Sequence, residues 1–68
     1  MSAKYRNLRM ELDRLGCEAR QGKGSHVIYT HPSQPARQVT LCGNDGQEAP
    51  KYQVARVRKF VRGMMVYQ

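Results

Sequence analysis

The chain has 68 residues and is strongly basic, with 12 Lys and Arg against 5 Asp and Glu, a net charge of +7 and a sequence pI near 10.0. A chain of this length forms at most one small domain with a thin hydrophobic core, which excludes a deep substrate cavity. The charge favours a polyanionic partner, with nucleic acid as the first candidate and an acidic protein as the second.

No apolar run approaches the length of a membrane span, and charged residues begin close to the N-terminus. We therefore expect a cytoplasmic protein without a signal peptide that does not bind membranes. Cys17 and Cys42 are isolated, because neither belongs to a C-x-x-C pair or has a histidine at ligand spacing. This pattern predicts no metal site and no cofactor, and in a reducing compartment both cysteines serve as small apolar residues.

Apolar residues of the first segment recur every three or four positions, at Tyr5, Leu8, Leu12 and Leu15. This spacing predicts a helix with one apolar stripe, and Gly16 is suited to end it because glycine readily adopts the left-handed conformation found at helix C-termini. A short extended run at residues 17–21 and a β-rich run at residues 25–31 follow. The glycines of the intervening "GKG" predict a hairpin turn.

The second half begins with residues 32–35, where two prolines predict a second turn. The stretch "ARQVTLC" at 36–42 then alternates as a half-buried strand does, and "GNDGQEAP" predicts a loop. Pro50 suits the first turn of a closing helix, and Gly63 with the tail "MMVYQ" is expected to loosen its end. The predicted apolar stripe of this helix is Val54, Val57, Val61 and Met64.

The order of helix, three antiparallel strands and helix predicts a single α+β domain over residues 1–68. Two amphipathic helices and a sheet with one apolar face can bury these surfaces only if both helices lie on the same face of the three-stranded sheet. The opposite face of the sheet is expected to stay open.

The closing helix carries five basic residues and no acidic one between residues 51 and 68. Mixed charges normally serve solubility, so a helix with one sign of charge favours a surface that contacts phosphates, although a plain solvated helix face is the alternative. The candidate RNA-binding residues of this helix are Arg56, Arg58, Lys59 and Arg62.

The stretch "GKGSH" offers the only plausible catalytic group. Gly22 and Gly24 carry no side chain that would keep a phosphate backbone away, and their N–H groups can donate to an anion. Lys23 adds a cation and Ser25 a hydroxyl, while the imidazole of His26 can accept or donate a proton near neutral pH. Gly-Ser-His also occurs by chance, so a structural role for the histidine stays open.

His31 ends the same predicted strand. It lies an odd number of positions from His26, so the two rings should point to opposite faces of the sheet. A pair of catalytic histidines is therefore not expected, and His31 is interpreted as a structural residue at a strand end.

The segment order and the motif together resemble the HicA-type toxins, small mRNA interferases whose fold is similar to the double-stranded-RNA-binding domain. The similarity covers "LDRLGCEARQ", "GKGSH" with "VIYTHP", "RQVTL" and "YQVARVRKFV". The Gly-Ser-His triplet at Gly24, Ser25 and His26 is its specific part. The resemblance implies the toxin of a type II toxin–antitoxin system that acts as an endoribonuclease on mRNA, with the family's catalytic histidine at His26. It also implies a HicB-type antitoxin that covers this histidine, and a role in growth arrest under stress.

Two features depart from the family pattern. Relatives commonly carry Pro-x-His at the end of the third strand, where this chain has Cys42, Gly43 and Asn44. Asn44 must then supply the hydrogen bonding of the second histidine, or that contribution is absent. Arg20 also stands where the family pattern has an apolar residue, and the family's arginine is expected one place later. This difference points to a register shift or a small bulge in the first strand.

The resulting hypothesis is metal-independent cleavage, in which the neighbouring ribose 2′-hydroxyl attacks the phosphate. His26 acts as general base or acid, while Lys23 and backbone N–H groups stabilise the charge that develops on the phosphate. Two alternatives remain: a non-catalytic RNA-binding module, and an interaction subunit whose positive surface serves an acidic protein.

Overall fold

A computed structural model describes the backbone of residues 3–66 and the side chains of residues 3–64. The elements in chain order are α1 (Tyr5–Leu15), β1 (Glu18–Gln21), β2 (His26–His31), β3 (Gln34–Cys42) and α2 (Lys51–Val66). The predicted order of helix, three antiparallel strands and helix is confirmed. None of the helices within residues 3–66 is long and apolar enough to cross a membrane.

Helix α1 ends at the glycine that its sequence predicts. The backbone N–H of Lys4 donates to Oδ1 of Asn7 over 3.1 Å and so helps to satisfy the first turn. At the other end Gly16 has a φ of 92° and donates its N–H to the carbonyl of Asp13, and the N–H of Cys17 donates to the carbonyl of Leu12. A residue with a side chain would be strained at this φ, so the glycine sets the end of the helix.

The three strands form one antiparallel sheet in the order β1-β2-β3. A two-residue turn joins β2 to β3, so β3 begins at Gln34 and Pro35 lies in the strand; the prediction that residues 32–35 form the turn was wrong by two residues. The register is irregular between Thr30 and His31 on the β3 side. Pairing between β1 and β2 is regular and sets Arg20 opposite Ile28, so the register shift predicted at Arg20 is also wrong.

One face of the sheet packs against both helices and forms the core. Helix α2 contributes Val57, Phe60 and Met64, and the alternating strand residues Val39 and Leu41 point towards it. The opposite face of the sheet is open, as predicted. The complete set of buried apolar residues is Tyr5, Leu8, Leu12, Tyr29, Val39, Leu41, Val57, Phe60 and Met64.

The predicted stripe of α2 is confirmed but incomplete. Val57 and Met64 are buried, Val54 and Val61 are partly buried and pack against the core, and Phe60 and Gln53, which the prediction left out, are buried as well. The helix continues through Gly63 to Val66. The last two residues of the predicted tail lie outside the described residues.

The hydrogen bonds of Gln53 explain which side of α2 faces the sheet. Its side chain is 2% exposed and its Nε2 donates to the carbonyl of Thr40 over 2.8 Å. The other end of the amide, Oε1, lies 3.5 Å from the hydroxyl of Tyr5. Because β3 is an edge strand, its outward carbonyls have no strand partner, and a buried amide on α2 satisfies one of them.

Candidate functional site

The turn between β1 and β2 contains the sequence that we singled out as a candidate site. The N–H of Gly22 donates to the carbonyl of His26 over 2.8 Å, and the N–H of His26 donates back to the carbonyl of Lys23 over 3.0 Å. Gly24 has a φ of 58° and Ser25 has a negative φ. This combination is the one required by a type II′ hairpin turn, in which glycine occupies the first central position.

The top of this turn is accessible. Lys23, Gly24 and Ser25 are exposed, and a Cβ added to Gly24 would meet no atom within 4 Å. Among the described residues, none of these three residues donates its backbone N–H to a backbone carbonyl. The turn therefore presents several backbone donors beside the Lys23 ammonium, which is an arrangement suited to binding an anion.

Gln21 holds the turn in place, and sequence reasoning missed it. Its side-chain Nε2 donates to the carbonyls of Gly24 over 2.8 Å and of His26 over 3.2 Å, and a longer contact of 3.5 Å reaches the carbonyl of Gly22. One amide thus links both sides of the loop. One signal in the sequence could have revealed this role: the Gln21 amide has two N–H donors and directly precedes a glycine turn. The carbonyls of such a turn have no partners in a neighbouring strand and can accept from a side chain.

His26 is exposed at the start of β2 and lies on the open face of the sheet. It pairs directly with Cys42, and the next row on the same face contains Arg20, Ile28 and Thr40. Arg20 is therefore a diagonal neighbour of His26. Diagonal pairs lie about 7–8 Å apart, which a long side chain can span.

His31 has the structural role that we expected and lies on the helix side. Its Nδ1 accepts a hydrogen bond from the N–H of Ser33 over 3.1 Å, so Nε2 carries the proton and donates to the carbonyl of Leu15 over 3.0 Å. This bond satisfies one of the last carbonyls of α1. The two histidines therefore lie on opposite sides of the sheet, as the strand periodicity predicts.

The basic residues of α2 are exposed but do not form one group. Arg56 and Lys59 line a cleft beside β3, whereas Arg58 lines a separate depression formed mainly by residues around the start of α2, with Ala3 on its other side. Arg62 is exposed further along the helix. These residues lie on the helix side of the sheet and the side chain of His26 on the other, so the two halves of the predicted RNA-binding set are separate surfaces.

Both cysteines are free thiols. Burial raises the pKa of the Cys17 thiol, and the nearby Asp13 carboxylate adds to this shift, so Cys17 is held as a neutral thiol. Cys42 is exposed and free. Over the part of the chain that the structure describes, no group of three or more His, Cys, Asp or Glu side chains could hold a metal ion.

The fold and site define a class: a small α-β-β-β-α domain with an exposed histidine on an open sheet face and a basic second helix. The family model of the HicA toxin of bacterial toxin–antitoxin systems matches residues 5–60, which is most of the chain. The chain therefore belongs to the HicA toxin family. Comparison with curated proteins and with solved structures gives no significant match.

Proposed function

We propose that this toxin is an mRNA interferase, a metal-independent endoribonuclease in which His26 is the general acid or base. The observation that carries the proposal is the position of His26. Its side chain is exposed on the open sheet face, next to a turn whose backbone N–H groups and Lys23 are available to an anion. An RNA phosphate bound at this turn would bring its ribose within reach of the imidazole.

The proposed reaction is transesterification at phosphorus. The 2′ oxygen forms a bond to phosphorus, the bond from phosphorus to the 5′ oxygen breaks, and the products are a 2′,3′-cyclic phosphate and a 5′-hydroxyl. One proton leaves the 2′-hydroxyl and one is delivered to the 5′ oxygen. His26 carries one of these transfers and water the other.

Negative charge develops on the phosphate oxygens during this step and needs a nearby cation. Lys23 and the N–H groups of Gly24 and Ser25 supply donors on the turn side. Arg20 supplies a guanidinium on the sheet side, as the diagonal neighbour of His26 on the same face. We therefore add Arg20 to the proposed site, with the role of binding the scissile phosphate.

The partners that we propose are an mRNA substrate, met in the cytoplasm, and a HicB-type antitoxin that covers His26. The exposed basic residues of α2, which are Arg56, Arg58, Lys59 and Arg62, would contact RNA phosphates. Each neutralised phosphate releases counterions, so these contacts would raise affinity for RNA of any sequence.

The decisive experiment compares wild type with His26→Ala in cleaving a single-stranded RNA labelled at both ends. We expect unchanged circular dichroism and a loss of cleavage on the order of 10²-fold or more, because the side chain is exposed and its removal deletes the acid–base group. A substrate with 2′-deoxyribose at the cleaved position should resist the wild-type protein. EDTA should leave cleavage unchanged.

Three results would contradict the proposal. Undiminished cleavage by a folded His26→Ala protein would remove the catalytic assignment. Loss of cleavage in EDTA that magnesium or zinc restores would replace the metal-independent mechanism. RNA binding by the wild type without any cleavage would favour the non-catalytic RNA-binding module.

A further inference from the structure

A cleft of about 440 Å³ lies between α2 and the outer edge of β3. Three cationic side chains line it, those of Arg37, Arg56 and Lys59, and no carboxylate does. Its remaining lining is provided by Gln38, Val39, Thr40 and Phe60. A concave surface with three like charges and no counter-charge in its walls favours an anionic ligand.

Arg37 is held at the cleft by the shape of α2. Its guanidinium lies 5.5 Å from the centre of the Phe60 ring, a cation–π contact, and Nη1 lies 3.4 Å from Oε1 of Gln34. A Cβ added to Gly63 would lie 1.9 Å from Nη1 of Arg37. A glycine inside a helix is less favourable than alanine, and the space that Gly63 leaves is filled by this guanidinium.

An exposed aromatic ring stands beside the cleft. The Tyr52 side chain is 58% exposed, and the guanidinium of Arg56 lies 5.5 Å from the centre of its ring. An exposed ring next to cations is the combination on which single-stranded nucleic acids stack their bases while their phosphates are neutralised. An acidic protein segment would use the cations but would have no need of the ring, so the observations favour RNA.

The cleft lies on the same strand as the partner of His26. Arg37 to Thr40 are two to five residues from Cys42, which pairs with His26. At about 3.3 Å per residue this separation along β3 is roughly 7–17 Å. Because the side chain of His26 lies on the open face and the cleft on the helix side, an RNA strand that binds both must also pass around the outer edge of β3.

We propose that the cleft formed by Arg37, Arg56 and Lys59 binds the phosphates of single-stranded RNA beside the cleaved position, and that Tyr52 stacks on one of its bases. This inference rests on the proposed function for the identity of the ligand. It adds Arg37 and Tyr52 to the RNA-binding residues and makes Arg56 and Lys59 more important for affinity than Arg58 and Arg62.

The test measures RNA affinity in a His26→Ala background, where cleavage does not interfere. The dissociation constant of a labelled oligouridine is measured at several salt concentrations for two double variants. Arg56→Gln with Lys59→Gln removes two charges from the cleft, and the control Arg6→Gln with Arg14→Gln removes two exposed charges from α1, outside the cleft and outside the proposed RNA-binding residues. We expect the cleft variant to lower the slope of log affinity against log salt by about 1.4, twice the value of about 0.7 for one phosphate contact on a single strand.

The control variant should change that slope by less than about 0.7, since it removes charge without removing cleft contacts. Equal losses in the two variants would overturn the proposal, because affinity would then follow net charge alone. Circular dichroism checks that both variants are folded, and all four substituted side chains are exposed.

Variants of Tyr52 test whether the ligand of the cleft is RNA or an acidic protein. Tyr52→Ala should weaken oligouridine binding about 5-fold or more, Tyr52→Phe should keep it, and neither should alter binding of poly-glutamate. Loss of poly-glutamate binding in the cleft variant with unchanged RNA binding would assign the cleft to an acidic protein and overturn the proposal. If the wild type proves unable to cleave RNA but shows the cleft-dependent slope, the proposed function fails and this inference stands.

Discussion

Gly43→Ala is expected to destabilise the protein, because there is no space for the added methyl group. Gly43 is buried, and a Cβ added there would lie 2.2 Å from Cε2, 2.5 Å from Cδ2 and 2.7 Å from Cζ of Tyr5. Its φ is not in the left-handed region, since the described glycines with positive φ are Gly16 and Gly24. The constraint at Gly43 is therefore the Tyr5 ring, which is 2% exposed and has little room to move.

The expected cost follows from overpacking. Inserting a methyl group into a well-packed core costs about 1–3 kcal/mol, and separations below 3 Å to three ring atoms point to the upper part of this range. For a domain of this size each kcal/mol lowers Tm by about 4–8 °C. The carbonyl of Gly43 also accepts a hydrogen bond of 2.7 Å from Nη2 of Arg9, which limits how far the backbone can shift away.

Urea unfolding followed by circular dichroism measures this cost, with Gly46→Ala as the matched control. Gly46 lies in the same loop, has no positive φ, and an added Cβ would meet nothing within 4 Å. The control should be neutral or more stable by about 0.4–1 kcal/mol, because alanine restricts the unfolded chain. If Gly43→Ala proves as stable as Gly46→Ala, the packing argument is wrong. In a Tyr5→Val background, the added cost of Gly43→Ala should shrink because the ring is gone.

Three further predictions concern the core, the alkaline limit of stability and the site. Val57→Asp should abolish the helical circular dichroism signal, because the Val57 side chain is 0% exposed and an unpaired carboxylate buried there would destabilise the fold. Ala55→Asp, on the exposed face of the same helix, should stay folded. Burial raises the pKa of Tyr5 above its usual 10.0, so the contribution of Tyr5 to the unfolding free energy should be constant below about pH 10 and be lost as pH rises through the folded pKa. Urea titrations at several pH values should therefore show a smaller alkaline loss of stability in Tyr5→Phe than in the wild type. Asn44→Ala should change the free energy of unfolding by less than about 0.5 kcal/mol and leave RNA cleavage unchanged, because the Asn44 side chain makes no hydrogen bond within the described residues. A large loss of cleavage would show that Asn44 replaces the family's second histidine.

Local signals in the sequence predicted the elements that depend on one segment. The stripe of α1 and its glycine stop were correct because both are set by helix periodicity and by the φ that Gly16 adopts. The alternation predicted for residues 36–42 is confirmed in β3, where Val39 and Leu41 are buried and Cys42 is exposed. The hairpin turn predicted from the glycines of residues 22–24 is also confirmed, because a left-handed residue is needed there and Gly24 supplies it, although β2 begins at His26, one residue later than predicted.

Features that depend on two segments were not predicted. Hydropathy ranks valine above glutamine, so the predicted stripe of α2 leaves out Gln53, whose side chain is drawn inwards by the open carbonyl of Thr40 on the edge of β3. The cleft around Arg37 exists only once α2 is placed beside β3, so the alternation of the strand alone could not reveal it. Gln21 was treated as an ordinary strand residue, because its partners are loop carbonyls that become available only after the turn forms.

The separation of the two surfaces bears on how a HicA toxin could be controlled. Both helices pack on one face of the sheet, and no helix or strand of the described chain covers His26 on the other face. If His26 performs the chemistry, its activity must be blocked by another molecule, and an antitoxin that covers the open face would do so. The cleft of Arg37, Arg56 and Lys59 lies at the edge of the sheet, so covering His26 alone would stop cleavage and still leave the cleft open to RNA. An antitoxin that also prevents RNA binding must therefore extend around the edge of β3 and bring acidic side chains to the cleft.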